Sequence, residues 1–163
     1  MAEITERVFD PAEQVNIKNI CPWGVNFKSL LKDRGEHLAP FEETTLSAEE
    51  IAYQIKNGNS GFVGVDGMGS HAPLQLTNLE QYNLLFGCQK TKLPEYLNEA
   101  VFKKMVKLKD ETKFKAALEK NIKTESDKHI IIYLVNKNDK IRSEMPDWMI
   151  WAIESYTWMK ITP

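Results

Sequence analysis

Gly87-Cys88-Gln89-Lys90-Thr91-Lys92 is where this chain changes character. Seven of the eight glycines precede residue 70, the eighth is Gly87, and none follows it. Charge changes at the same place. Residues 1–89 hold 6 Lys and Arg against 12 Asp and Glu, whereas residues 90–163 hold 15 against 11. Glycine-rich turns in front and lysine-rich, glycine-free sequence behind describe a β-containing lobe followed by a helical one. The expected class is therefore α+β: an N-terminal β-rich lobe with two short helices (14–87), then a C-terminal helical bundle of about four helices (93–163). Residues 1–13 are polar and read as an extended N-terminal arm.

Upstream of the join, apolar alternation at Val15, Ile17 and Asn19 gives a strand over 14–20. Trp23, Val25 and Phe27 give a second, and His37-Leu38 a short return strand after a turn at Gly35. Ser47-Ala48-Glu49-Glu50 has capping-box spacing, with Leu46 and Ile51 set as a hydrophobic staple. It opens a helix over 48–57 that Asn57-Gly58 ends. Gly61-Phe62-Val63-Gly64-Val65 reads as a strand, Asp66-Gly67 as a turn and Leu74-Gln75-Leu76 as a strand. Thr77 and Glu80 repeat the capping spacing before a helix at 78–86 that Gly87 closes.

Downstream, Pro94 suits a first helical turn, followed by a face of Leu97, Val101, Met105 and Leu108. Asp110 caps a helix with Phe114, Leu118 and Ile122 inside. At 129–135 the β-branched run favours a strand and the Thr124-Glu125-Ser126-Asp127 cap favours a helix; the cap tips the reading to helix. Pro146 opens a last helix carrying Trp148, Trp151, Ala152 and Tyr156.

Composition removes several function classes. Net charge is −2, without the basic balance of a nucleic-acid binder. No apolar run approaches the length of a membrane span, and the acidic start lacks the apolar core of a signal peptide. Cys21 and Cys88 are too far apart for a zinc motif and read as reduced, buried thiols.

The stretch Gly64-Val65-Asp66-Gly67-Met68-Gly69-Ser70-His71 has the residue types of a phosphate loop, but the glycine order is wrong and no lysine follows. It reads as a glycine turn. Asp66, Ser70 and His71 are triad residue types, yet neighbours on one turn seldom converge on a common atom. A His37/His71 pair lacks ligand companions, and His129 reads as a core or core-edge residue. The acids Glu42, Glu43, Glu49 and Glu50 suit a helix start. The lysines of 103–128 form solvated helix faces, with an acidic protein surface or nucleic acid as the other possible readings. No catalytic, cofactor-binding or metal-binding residue is assigned.

Three of four tryptophans fall in the last 16 residues. Trp148, Trp151, Tyr156, Trp158 and Met159 are more aromatic and thioether surface than a short terminal helix buries against one neighbour. They are the candidate partner-binding residues, with Trp148 and Trp151 assigned to the core side.

The segments Val15–Asn19, Trp23–Phe27, the helix after Leu46, Gln54–Asn59 and Phe62–Ala72 together resemble small structural proteins of tailed bacteriophages, similar in organisation to minor head proteins. The resemblance covers about residues 14–87, more loosely 93–161. It implies a non-enzymatic virion structural protein, an auxiliary capsid protein bound to the major capsid shell. Such a protein is made in the bacterial host cytoplasm and located in the virion. Its partners would be the major capsid protein, other virion proteins or further copies of itself; by composition a membrane is not expected, and the charge balance disfavours nucleic acid. The alternatives are a phage-encoded inhibitor or adaptor of a host protein, a head–tail connector or neck protein, and a small enzyme using the 64–71 loop.

Overall fold

A computed structural model describes residues 9–161. The chain divides into two compact units, Met1–Pro94 and Glu95–Pro163. The first is built on strand β1 (Gln14–Asn19), which lies between β4 (Glu43–Ser47) and β5 (Leu74–Leu76) in an antiparallel sheet of order β4-β1-β5. Register is set at Val15 opposite Leu46 and Ile17 opposite both Thr44 and Leu76. Alternation buries Val15, Ile17 and Asn19 on one face. A separate hairpin pairs β2 (Val25–Lys28) with β3 (Gly35–Leu38). Its Phe27 meets Phe62 edge to face, with ring centroids 5.2 Å apart. This is a favourable arrangement because the positive edge of one ring meets the negative face of the other.

Helix α1 (Ala48–Lys56) follows β4 directly and accounts for three of its first amides. Ala48 N–H donates to Glu13 O at 2.8 Å and Glu49 N–H to Pro11 O at 3.1 Å. Glu50 N–H donates to Ser47 Oγ at 3.2 Å. Residues 1–8 of the expected arm lie outside the described residues, but residues 10–13 are tied to this helix start. Only half of the expected capping box forms by way of Glu50. Its buried carboxylate accepts from Leu30 N–H at 3.0 and 3.2 Å, stitching α1 to the hairpin tip. The helix ends as expected, with Gly58 at φ +68°.

The strand expected at 61–65 is instead a short helical turn, α2 (Ser60–Val63). Asn59 Oδ1 accepts from Gly61 N–H at 3.0 Å, and that cap outweighs the β preference of Phe62 and Val63. Among its described residues the first unit thus holds three helices rather than the expected two, the third being α3 (Leu79–Phe86). Its cap is Asn78, whose side chain accepts from Gln81 N–H. Thr77 turns its Oγ1 to Asn16 Nδ2 at 2.8 Å instead. Gly87 closes α3 in the left-handed region at φ +66°.

The second unit is entirely helical among its described residues: α4 (Glu99–Val106), α5 (Glu111–Asn121), α6 (Glu125–Lys137), α7 (Asp139–Glu144) and α8 (Asp147–Thr157). Helix α4 starts at the Asn98 cap rather than at Pro94. Its inner face is Phe102 and Met105, with Leu97 buried just before the cap, while Val101 and Leu108 are only half-buried. Asp110 caps α5, which buries Phe114 and Leu118. The cap-based reading of 129–135 holds: Thr124 and Asp127 close a full capping box, and Ile130, Ile131, Leu134 and Val135 are buried along α6. His129 lies on the opposite face and is exposed, because the helical period carries it away from those four. Helix α7 had no recognisable sequence signal; its start, Asn138, makes no side-chain capping bond. No helix among the described residues is long and apolar enough to cross a membrane.

Candidate functional site

Helix α8 displays the tryptophans. Pro146 stands at its N-cap, and Met149, Ala152, Ile153 and Thr157 form the buried face. These positions repeat at steps of three, one and four, so one side of the helix is committed to packing. The adjoining flank, which shares Ala152 with that face, borders a groove between α8 and α5 with a cavity volume of about 390 Å³. Trp148, Trp151, Ala152, Ser155 and Tyr156 supply the α8 wall, and Glu111, Lys115, Leu118 and Glu119 the α5 wall.

Each aromatic is held differently. Trp148 is half-buried and meets Phe114 edge to face at a centroid distance of 5.6 Å. Tyr156 is half-buried and its hydroxyl donates to Ile122 O at 3.2 Å, which closes the α5 C-terminus against α8. Trp151 and Trp158 stand outward, 64% and 91% exposed. The core-side assignment therefore holds for Trp148 and fails for Trp151. Phe114 occupies the position next to Trp148, and one turn further along, Trp151 sits at the groove mouth. Trp158 adopts φ +61° at the helix end, where its N–H still donates to Glu154 O at 2.9 Å. Met159 is half-buried, with its N–H on Thr157 Oγ1. The five residues singled out in the sequence thus form two anchored groups, Trp148 and Tyr156, and two outward indoles, with Met159 following the second. The α5 wall had no sequence signal as part of a site: Glu111 and Lys115 look like any i,i+4 ion pair, and they form one at 2.9 Å.

The glycine loop is arranged differently from a phosphate cradle. Asp66 Oδ1 accepts from Met68 N–H at 2.8 Å and from Ser70 N–H at 3.2 Å. Gly69 N–H donates to Val63 O and Val65 N–H to Ser70 O. Tyr82 hydroxyl donates to Met68 O at 2.6 Å, and Gln75 Nε2 to the carbonyls of Gly69 and Ala72. A phosphate loop works through amides left open to the ligand; here four of them already have acceptors, three within the loop and one on Val63 O. Gly64 (φ +64°) and Gly69 (φ +91°) make the path possible, and a Cβ on Gly64 would fall 2.0 Å from Ser70 O. Burial, with Cys88 and Asp66 nearby, pushes the Tyr82 phenol up to about 12.

His37 and His71 do not form a pair with a third ligand: among the described residues no group of three His, Cys, Asp or Glu could hold a metal ion. His37 Nδ1 hydrogen-bonds Asn26 Oδ1 across the hairpin. Cys21 is buried as expected, whereas Cys88 is half-buried with its thiol on Asn83 Oδ1.

Comparison of the chain with protein-family models, with curated proteins and with solved structures gives no match.

Proposed function

We propose that this chain is a non-enzymatic bacteriophage virion structural protein, an auxiliary capsid protein that docks on the major capsid shell through α8. The observation carrying the docking part is Trp151, exposed at the mouth of an aromatic-walled groove, with Trp158 exposed at the end of the same helix. Large rigid side chains of low conformational entropy, set around a concavity, are the residues that carry binding energy in protein interfaces. The virion assignment rests on the resemblance of residues 14–87 and 93–161 to minor head proteins. The internal bonding of the 64–71 loop favours a binding protein over an enzyme using that loop.

Mass spectrometry of purified phage particles tests the assignment. We expect the chain at a fixed ratio to the major capsid protein, and lost from particles when Trp151 and Trp158 are both changed to Ala. Its absence from particles rejects the virion role. Its recovery from infected cells bound to a host protein would favour the inhibitor or adaptor reading.

A further inference from the structure

A second concavity in the helical unit shares no residue with the α5/α8 groove, and the inference drawn from it does not rest on the virion reading. It lies between the last turn of α4 and α7, has a volume of about 320 Å³, and is lined by Lys103, Val106, Lys107, Lys109, Ile141, Glu144 and Met145. Its two walls differ in chemistry. The α4 wall carries three ammonium groups, and the α7 wall carries Ile141 and the buried Met145 with one carboxylate, Glu144. Lys103 makes a loose contact of 3.7 Å with Glu99; Lys107 and Lys109 have no ion-pair partner among the described residues.

We infer that this cleft binds an extended acidic peptide segment in which carboxylates alternate with apolar side chains. Charge complementarity sets the first half of the argument. Three cations around one carboxylate leave a net positive rim, which attracts an anionic partner and speeds its approach. Geometry sets the second half. Lys103 and Lys107 are one helical turn apart, about 6 Å along α4. Carboxylates at i and i+2 of an extended strand are spaced about 6.6 Å apart and point to the same side. The intervening side chain then points to the opposite wall, where Ile141 and Met145 offer apolar surface. A nucleic-acid backbone would satisfy the lysines but leave that wall facing phosphate and sugar. The cleft also lacks the aromatic rings on which unpaired bases stack.

The test is fluorescence anisotropy of the full chain with a labelled heptapeptide of alternating glutamate and leucine. Its controls are the same peptide with glycine for leucine and a single-stranded oligonucleotide of equal charge. We expect saturable binding to the glutamate–leucine peptide that weakens at least tenfold when Lys107→Glu and Lys109→Glu are combined. It should also weaken at least fivefold with the glycine peptide, and fall as salt rises, because rim charges are screened. Both lysines are exposed, so the double variant should retain the parent circular dichroism spectrum. Equal binding of the glycine peptide, no effect of the charge reversals, tighter binding of the oligonucleotide, or no saturable binding of the glutamate–leucine peptide would each overturn the inference.

Discussion

Asn19 offers the sharpest test of how the first unit is held together. It sits on the buried face of β1 with 0% exposure, in a position that strand alternation reserves for an apolar residue. Its amide group binds four backbone atoms. Nδ2 donates to Trp23 O at 2.8 Å, to Ala39 O at 3.1 Å and, at longer range, to Leu38 O at 3.4 Å. Oδ1 accepts from Cys21 N–H at 2.9 Å. One side chain therefore fastens the end of β1 to both ends of the β2–β3 hairpin region.

Asn19→Asp is the informative perturbation because it changes no volume. The variant keeps an acceptor for Cys21 N–H but replaces the NH₂ group by an oxygen facing carbonyl oxygens. Two short bonds are lost, and leaving buried polar groups unsatisfied costs about 1–3 kcal/mol each. The expected loss is about 2–6 kcal/mol, a large part of the ~5–15 kcal/mol that stabilises an ordinary domain. Urea denaturation followed by far-ultraviolet circular dichroism measures it. The loss should shrink as pH falls, because burial raises the pKa of the new carboxyl and its protonated form can donate to one carbonyl. Asn16→Asp on the opposite face is the control. Asn16 makes one side-chain bond, to Thr77 Oγ1, so its change should cost about 0.5–1.5 kcal/mol. If Asn19→Asp lies within 0.5 kcal/mol of the parent protein, the network is not what holds the hairpin to β1.

Three further outcomes follow from the same structure. Gly64→Ala should destabilise by about 3 kcal/mol or more, because it adds a clash with Ser70 O to a backbone conformation that L residues avoid. Gly67→Ala has open space and should cost about 1 kcal/mol; equal losses in thermal melts would contradict this. The Tyr82 phenol, raised to about 12 from 10 in the unfolded chain, contributes stability that is intact below pH 10 and lost between pH 10 and 12; phenolate absorbance of the parent protein against Tyr82→Phe reads the titration. Ser47→Ala should cost about 0.5–2 kcal/mol in urea, toward the lower half because Ala48 and Glu49 N–H are held by backbone carbonyls; no loss at all would show that the Ser47 cap is dispensable.

The elements that sequence located well are those whose signal is local. Ser47, Asp110 and Thr124 announce helix starts because a capping side chain and the amide it satisfies lie within three residues. The β1 pattern was readable because one face of the sheet is buried. Where two local signals competed, the cap decided: Thr124 carried the β-branched run of α6 into helix, and Asn59 did the same for Phe62 and Val63. The second case was misread because Asn59 follows the Asn57-Gly58 stop so closely that it looks like part of the turn. Glu50 failed as a capping-box partner for a non-local reason. The Leu30 amide at the hairpin tip, twenty residues upstream, competes for its carboxylate, and nothing in the sequence around Ser47 reports that.

The aromatic cluster shows the same division between local and tertiary information. Composition was enough to mark Trp148, Trp151, Tyr156, Trp158 and Met159 as a group, since their number exceeds what one short helix can bury. Which of them anchor and which project depends on α5. Phe114 meets Trp148, and Ile122 O takes the Tyr156 hydroxyl. Each of those contacts joins residues 34 apart in sequence, so helical periodicity on α8 alone could not assign them. With both in place α8 cannot roll toward α5 without breaking one of them, and Trp151 is held at the groove mouth. A preorganised indole loses less entropy on docking than one on a loose tail. Trp151→Ala should then leave the stability in urea within about 0.5 kcal/mol of the parent protein, as for other exposed positions, while weakening the proposed attachment to the capsid by about 2 kcal/mol or more. Phe114→Ala should do the reverse in kind. It removes the packing under Trp148, costs about 3–5 kcal/mol of stability as a buried aromatic truncation, and weakens attachment only through the loosened groove. Measured together by urea denaturation and particle co-sedimentation, the two variants separate a docking surface from a core. If Trp151→Ala loses stability and not attachment, α8 belongs to the fold alone and the partner binds elsewhere.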